Sequence, residues 1–566
     1  MANIFNSIRL KRPKRNVFNL SYENKLTMNM GELVPIMCMP IVPGDKFRVN
    51  TEALVRLAPL VAPMMHRVNV YTHYFFVPNR LVWNQWEDFI TKGIDGEDSP
   101  VFPRIRLTQG SITVTDKERF QIYYGDSSLW DYMGLPSLAG VGNVVYDDLV
   151  GLNGVKLPTG YEVSALPFRA YQLIYNEYYR DQNLTDPISF SLDGGSFDSL
   201  QEVGSLLHIR RRAWEKDYFT SALPWLQRGP EVTVPVGGAF GDVMLDRSSG
   251  YPKIVDKDGN ALSSVVGNND DQLLQVGVHG TSVPTPDYPG RLVVGNSGQA
   301  LSSQTQVYFD PNGTLKVNGD NAGISIQDLR TSNALQRWFE RNARGGSRYI
   351  EQILAHFGVR SSDARLQRPQ FLGGGKMPIA VSEVLQTSST DATSPQANMA
   401  GHGISAGVNN GFRHYFEEHG YVIGLMSIMP RTGYQQGVPR DFTKFDNMDF
   451  YFPEFAHLSE QEIKNQELFV SNDPTYNQGT FGYTPRYAEY KYHESEAHGD
   501  FRGNMAFWHL NRIFNDKPNL NTTFVECHPS NRVFATSKTQ NDKFWVQVYQ
   551  DVKALRLMPK YGTPML

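Results

Sequence analysis

Between Arg67 and Val77 the chain reads RVNVYTHYFFV, and a strand built from it would carry large apolar groups on both faces. Successive side chains of a strand point to opposite sides. Val68, Val70, Thr72, Tyr74 and Phe76 therefore share one face, and Asn69, Tyr71, His73, Phe75 and Val77 the other. Both faces need cover, which makes this a central strand with material packed above and below it. Similar β signals recur at Leu33 to Val42, Tyr421 to Met429 and Phe544 to Val552. Strands so far apart along the chain must pair to share one core, so a non-local β-sandwich or Greek key is expected rather than a string of small domains.

Composition supports that architecture. Aromatic residues make up 12% of the 566, beside 49 Gly and 33 Pro, a mixture that favours short strands joined by long ordered loops over a helix bundle. The net charge of -4 and pI near 6.4 give no global argument for nucleic-acid binding, so any such contact must be local. Cys38 and Cys527 are the only cysteines. That excludes a disulfide scaffold and a Cys-rich zinc site and fits a reducing, cytosolic birthplace. Met1 to Leu20 has no apolar signal core, and no uninterrupted apolar run reaches the ~18 residues of a spanning helix.

Residues 1–20 read as a basic arm, with Arg9, Lys11, Arg12, Lys14 and Arg15 and no acid in the first fifteen positions. Such an arm is either a solvated tail or a phosphate-contacting segment. Residues 21–230 and 324–566 are expected to form the β core with helical excursions. In SALPFRAYQLIYNEYYRD, Ser164 is the expected cap, Pro167 sits at the entry, and Tyr171, Tyr175 and Tyr178 make a packing stripe. Two short amphipathic helices are expected further on. The first is capped by Ser325 and carries Leu335, Trp338 and Phe339; after Gly345-Gly346 the second carries Ile350, Ile353, Leu354 and Phe357. Residues 231–323 change character, with 14 Gly and 5 aromatics in 93 residues. Turn signals there alternate with short β runs such as Thr305 to Phe309, which reads as an exposed β-rich insertion.

Catalytic and metal patterns are incomplete. Gly403-Ile404-Ser405-Ala406-Gly407 matches a nucleophile elbow but lacks the strand-and-helix context that strains the serine. His493 and His498 stand at i, i+5 rather than i, i+4, off a common helix face. Gly373-Gly374-Gly375-Lys376 lacks P-loop spacing and reads as a flexible loop. Asp256, Asp258 and Asn260 lack the glutamate that would complete a calcium loop. No enzyme activity or cofactor is expected, an expectation that gains its weight with the family resemblance, and a bound cation is left unassigned.

Leu166-Pro167-Phe168-Arg169-Ala170-Tyr171 with Asn176-Glu177-Tyr178-Tyr179-Arg180-Asp181-Gln182-Asn183, Asp217-Tyr218-Phe219-Thr220-Ser221-Ala222-Leu223-Pro224-Trp225, and His414-Tyr415-Phe416-Glu417-Glu418-His419-Gly420 are three segments that resemble the major capsid proteins of the gokushovirus branch of the microviruses. With VNVYTHYFFVPNRLVW and Met429-Pro430-Arg431, the resemblance covers most of the chain outside 231–323. It implies an eight-stranded viral jelly roll with long inter-strand insertions, assembled as a T=1 icosahedral shell around circular single-stranded DNA. It also implies that residues 231–323 form a protrusion at the threefold axes. The partners to expect are further copies of the chain in pentamers and threefold contacts, the DNA genome, small basic DNA-binding and pilot virion proteins, and a host surface receptor. The protein would be made in the bacterial host cytoplasm and reside in the virion. Arg9, Lys11, Arg12, Lys14 and Arg15 are the candidate DNA-binding residues, and Arg210, Arg211 and Arg212 would either join them or make salt bridges between subunits. The competing reading is a carbohydrate-binding, lectin-like β-sandwich whose exposed aromatics stack on sugars.

Overall fold

Strand alternation organises the larger of the two compact units into which the chain divides, residues 1–228 with 339–566; residues 229–338 make the other. The computed structural model describes residues 15–95, 97–106, 122–137, 149–150, 156–157, 161–197, 200–230, 254–255, 308–309, 326–345, 351, 354–356, 367–385, 399–458, 460–536 and 542–561. The sandwich strands are β1 (Asn16–Asn19), β2 (Tyr22–Met28), β3 (Val34–Ile41), β4 (Lys46–Leu57), β5 (Val68–Pro78), β6 (Gln370–Pro378), β7 (Ala380–Leu385), β8 (Met399–Tyr415), β9 (Gly420–Pro430) and β10 (Phe544–Arg556). They form antiparallel sheets. One has six strands in the order β1-β10-β4-β8-β7, with β2 also paired to β10, and the other has four in the order β6-β5-β9-β3. Along the chain, β2 to β5 alternate between the sheets, β6 stays beside β5, and β8, β9 and β10 alternate again. The last strand closes the system, because Phe544 lies opposite both Met28 and Leu57.

The two faces of β5 find different cover. Val70, Tyr74 and Phe76 meet Phe47, Val49 and Val55 of β4 and Val546 of β10 in the core between the sheets. Phe75 and Val77, with Ile423 and Leu425 of β9, instead pack under Trp83, Trp130, Phe168 and Tyr171. Only His73 of β5 is less than fully buried. The expected central strand is thus a layer covered by a sheet on one side and by α1 (Leu166–Ile174) with its loops on the other. Inside the sandwich, Gln550 Oε1 accepts hydrogen bonds from Thr51 at 2.7 Å and from Tyr74 at 3.1 Å. Buried hydroxyls need such partners, and this one ties β4, β5 and β10 across the core.

Local details depart from the expectations. Ala165, not Ser164, occupies the cap position of α1, although Ser164 Oγ accepts from the Leu166 amide at 3.3 Å. Residues Tyr175–Tyr179 then continue as a π-helical turn. The wider turn shifts the stripe, so that Tyr171, Tyr175 and Tyr179 are buried while Tyr178 is half-buried and donates to Pro369 O at 2.6 Å. Gly373-Gly374-Gly375-Lys376 is no loop. It lies in β6, paired with β5, and a Cβ on Gly374 would come within 2.2 Å of Thr72 O. Glycine there permits close approach of two backbones, which reads in sequence like flexibility. In place of the first short amphipathic helix stands α2 (Ile326–Gly345), of 20 residues, on which Leu335 and Trp338 are exposed. Residues 351 and 354–356 are helical. Ser325, Ile350, Ile353 and Phe357 lie outside the described residues. Within residues 231–323 the description covers Ile254–Val255 paired with Tyr308–Phe309.

A further core, built largely from loops, gathers Tyr218, Phe219, Tyr434, Ile463, Leu468, Phe481 and Phe524. Beside it, burial and the nearby Asp217 carboxylate push the Glu494 carboxyl from its ordinary 4.5 up to about 8, partly offset by the Tyr218 amide and Arg431. A carboxyl whose folded pKa is raised costs nothing below its unfolded pKa and destabilises increasingly as pH rises to the folded one. Glu494→Gln should accordingly leave the melting temperature nearly unchanged at pH 4.5 and raise it progressively towards pH 8.5, as read by calorimetry of the isolated subunit. A gain that is equal at both pH values would show that this carboxyl is not held protonated.

Candidate nucleic-acid-facing surface

Of β4, KFRVNTEALVRL, the residues turned away from the core are Lys46, Arg48, Asn50, Glu52, Leu54 and Arg56. The register sets Arg48 opposite Arg413 of β8 on one side and Lys553 of β10 on the other, so cations from three adjacent strands stand in one exposed row. Lys46 follows, between Tyr415 and Leu555. Like charges directly opposite one another weaken a sheet. Among the described residues neither Arg48 nor Arg413 has a carboxylate partner, and Lys553 has Asp551 of its own strand at 3.9 Å. Arg48 and Arg413 thus face each other without a neutralising carboxylate, a contact costly unless an anion covers it.

Aromatic rings share this face. Trp545 and Tyr549 of β10 are 48% and 38% exposed, and Trp545 stands between Thr27 and Arg56. Cations beside exposed rings suit a single-stranded nucleic acid, whose phosphates take the charge and whose bases stack. Glu23 and Glu52 flank Tyr549 and interrupt the positive field there. The strongest cationic region is therefore the end of the sheet that holds Arg48, Arg413 and Lys553.

Arg15 belongs to that end. It is exposed, and its guanidinium lies 5.6 Å from the ring centre of Tyr415. Arg9, Lys11, Arg12 and Lys14 lie outside the described residues. Arg210, Arg211 and Arg212 are engaged within their own chain. Arg210 donates to Gln172 at 2.8 Å and Ser205 O at 2.6 Å, Arg211 pairs with Glu32 at 3.0 Å, and Arg212 donates to Ser427 at 3.1 Å and lies over Tyr71. These arginines bind α1 and its loops to the four-stranded sheet. The row of Lys46, Arg48, Arg413 and Lys553 was missed. Alternation of charge in KFRVNTEALVRL was its one local signal, while the pairing that aligns the cations is non-local.

The enzyme-like motifs have structural roles. Ser405 is buried in β8, a strand rather than a strained turn, and donates to Pro378 O at 2.8 Å. His493 and His498 are exposed, with His498 at 2.9 Å from Glu496. Asp256, Asp258 and Asn260 lie outside the described residues. Among the described residues no group of three or more metal-ligating side chains occurs, and no helix is long and apolar enough to cross a membrane.

Comparison with known proteins bears on what such a surface serves. The family model described as capsid protein (F protein) matches residues 6–566. The capsid protein VP1 of Chlamydia phage 1 is 35% identical, with 100% of this chain and 98% of that protein covered. The proteins of the same name from Bdellovibrio phage phiMH2K and Spiroplasma virus 4 are 33% and 30% identical, covering 97% and 98% of this chain and 95% of each relative. The resemblance drawn from the tyrosine-rich segments stands, and the lectin-like alternative is set aside.

The cationic row predicts effects of opposite sign. Arg413→Gln relieves repulsion and should stabilise the isolated subunit by roughly 0.2–1 kcal/mol in a denaturant titration. The same change should weaken binding to a single-stranded oligonucleotide and lower the salt dependence of binding by about one unit of log–log slope. Unchanged affinity with increased stability would separate the row from nucleic acid.

Proposed function

Because the chain belongs to the capsid protein (F protein) family, we propose that it is the coat subunit of a T=1 icosahedral shell around a circular single-stranded DNA genome. Self-assembly into a capsid is what the family name carries, and the virion is where such a protein resides. A jelly roll is the fold that the strand order β2-β10-β4-β8 against β3-β9-β5-β6 supports, since the chain alternates between sheets as two Greek keys require. The outward face of the six-stranded sheet turns to the interior, and the basic arm follows it there. The observation that carries this reading is the row of Arg413, Arg48 and Lys553, which lacks acidic partners strong enough to neutralise it.

Cations on the basic N-terminal arm neutralise phosphates without demanding one DNA path. Arg9, Lys11, Arg12, Lys14 and Arg15 supply that term, and Arg48, Arg413 and Lys553 extend it onto the sheet. Small basic and pilot virion proteins share the interior, and the subunit is made in the cytoplasm of the bacterial host. Residues 231–323 protrude at the threefold axes and meet the host receptor, a role supported by their turn-dense, aromatic-poor composition.

Replacing Arg9, Lys11, Arg12, Lys14 and Arg15 by Gln should lower nuclease-protected DNA per particle severalfold while particles still form. Particles that package normally would dispose of the arm's role. Deleting most of 231–323 should leave shells that no longer adsorb to host cells, whereas adsorption at the normal rate would reduce that segment to architecture.

A further inference from the structure

From Pro439 to Leu458 the chain inverts the usual distribution of polarity. Phe442 is 76% exposed, Phe445 89%, and Phe450, Tyr451 and Phe452 about half. The cations of the same stretch turn inward. Lys444, its side chain 4% exposed, pairs with Asp441 at 2.6 Å and lies 3.9 Å from the ring centre of Tyr490. Arg440 donates to Glu462 O at 2.7 Å and to the buried Glu467 at 3.1 Å.

This exposure is built into an ordered surface. The segment runs through short 3₁₀ turns, Arg440–Thr443, Asn447–Asp449 and Pro453–Phe455. Asp449 Oδ2 accepts from the amides of Phe445 and Asp446 at 3.1 and 3.0 Å. Tyr487 donates to Phe450 O at 3.0 Å, and Arg486 to Met448 O at 3.0 Å. A framework of polar bonds thus holds aromatic rings out into solvent. Taking about 200 Å² for each aromatic side chain, the exposed part of these five rings amounts to roughly 600 Å². That stands at the top of the ~300–600 Å² range of the largest patch on a typical monomer and approaches the ~800 Å² each partner contributes to a specific interface.

We propose that the surface formed by Phe442, Phe445, Phe450, Tyr451 and Phe452 is a contact between copies of this chain, buried when subunits assemble. The inference rests on the coat reading and adds to it a place. Charge argues against the genome as occupant, because the exposed charges of the segment are Asp441, Asp446 and Glu454 while its basic groups Arg440 and Lys444 are spent inside. Those carboxylates would repel a polyanion or an anionic lipid surface. Rigid rings lose little entropy on docking, which suits a contact repeated around a closed shell.

The test places a photo-crosslinking benzoylphenylalanine at position 445 of the full chain and irradiates purified particles. A covalent dimer of this chain is the expected product. Cross-links to DNA or to another virion protein, or none at all in intact particles, would overturn the proposal and leave the coat function standing; absence of particles from the unmodified protein would instead strike at the coat function. In parallel, the Phe442→Ser, Phe445→Ser double variant should keep the subunit's melting temperature within about 2 °C, as for other surface changes, and lower particle yield at least about tenfold. Normal particle yield from this variant would also overturn the proposal.

Discussion

The two central strands of the four-stranded sheet, β5 and β9, are buried on both faces, and most of the larger unit is arranged to satisfy that condition. A sheet with large apolar groups on both sides cannot stand at a surface, since each exposed Phe, Val or Ile forgoes ~1.5–3 kcal/mol of burial. The six-stranded sheet covers one side. The other side is covered by α1, by Trp83 and Trp130, and by the loop that Arg210, Arg211 and Arg212 pin down. Those arginines show how the cover is fastened. Their guanidinium groups reach carbonyls, hydroxyls and Glu32 that the apolar layer alone would leave without partners.

Pairing β10 with β2 and β4 joins segments nearly the length of the chain apart. Such closure is tolerable because its entropic cost grows only with the logarithm of loop length. The same physics explains how residues 229–338 can stand as a compact unit between α1 and β6 without undoing the sandwich. Length inserted between strands costs little once both flanking strands are anchored by core side chains.

The outer surfaces divide according to what they can touch. One side of the six-stranded sheet holds cations in register, a repulsion that an anion would relieve. The segment from Pro439 to Leu458 hides its cations and shows its rings. A net charge of -4 conceals this separation, because paired and unpaired cations count equally in the total.

Much was legible without coordinates. RVNVYTHYFFV announced a strand covered on both faces, and Leu33 to Val42, Tyr421 to Met429 and Phe544 to Val552 each lie within two residues of an observed strand at their start. A run of β-favouring apolar and aromatic residues is a local property, so local sequence determined these strands. The tyrosine-rich segments identified the family for the same reason. What the tertiary structure alone decided depends on neighbours distant in sequence. Gly373-Gly374-Gly375 became a strand because Thr72 and His73 lie against it, and Arg210 to Arg212 became fasteners because Gln172, Glu32 and Ser427 face them. Arg48, Arg413 and Lys553 became one surface because antiparallel register aligns them. Pairing across hundreds of residues leaves no periodic trace in the sequence around any one of them.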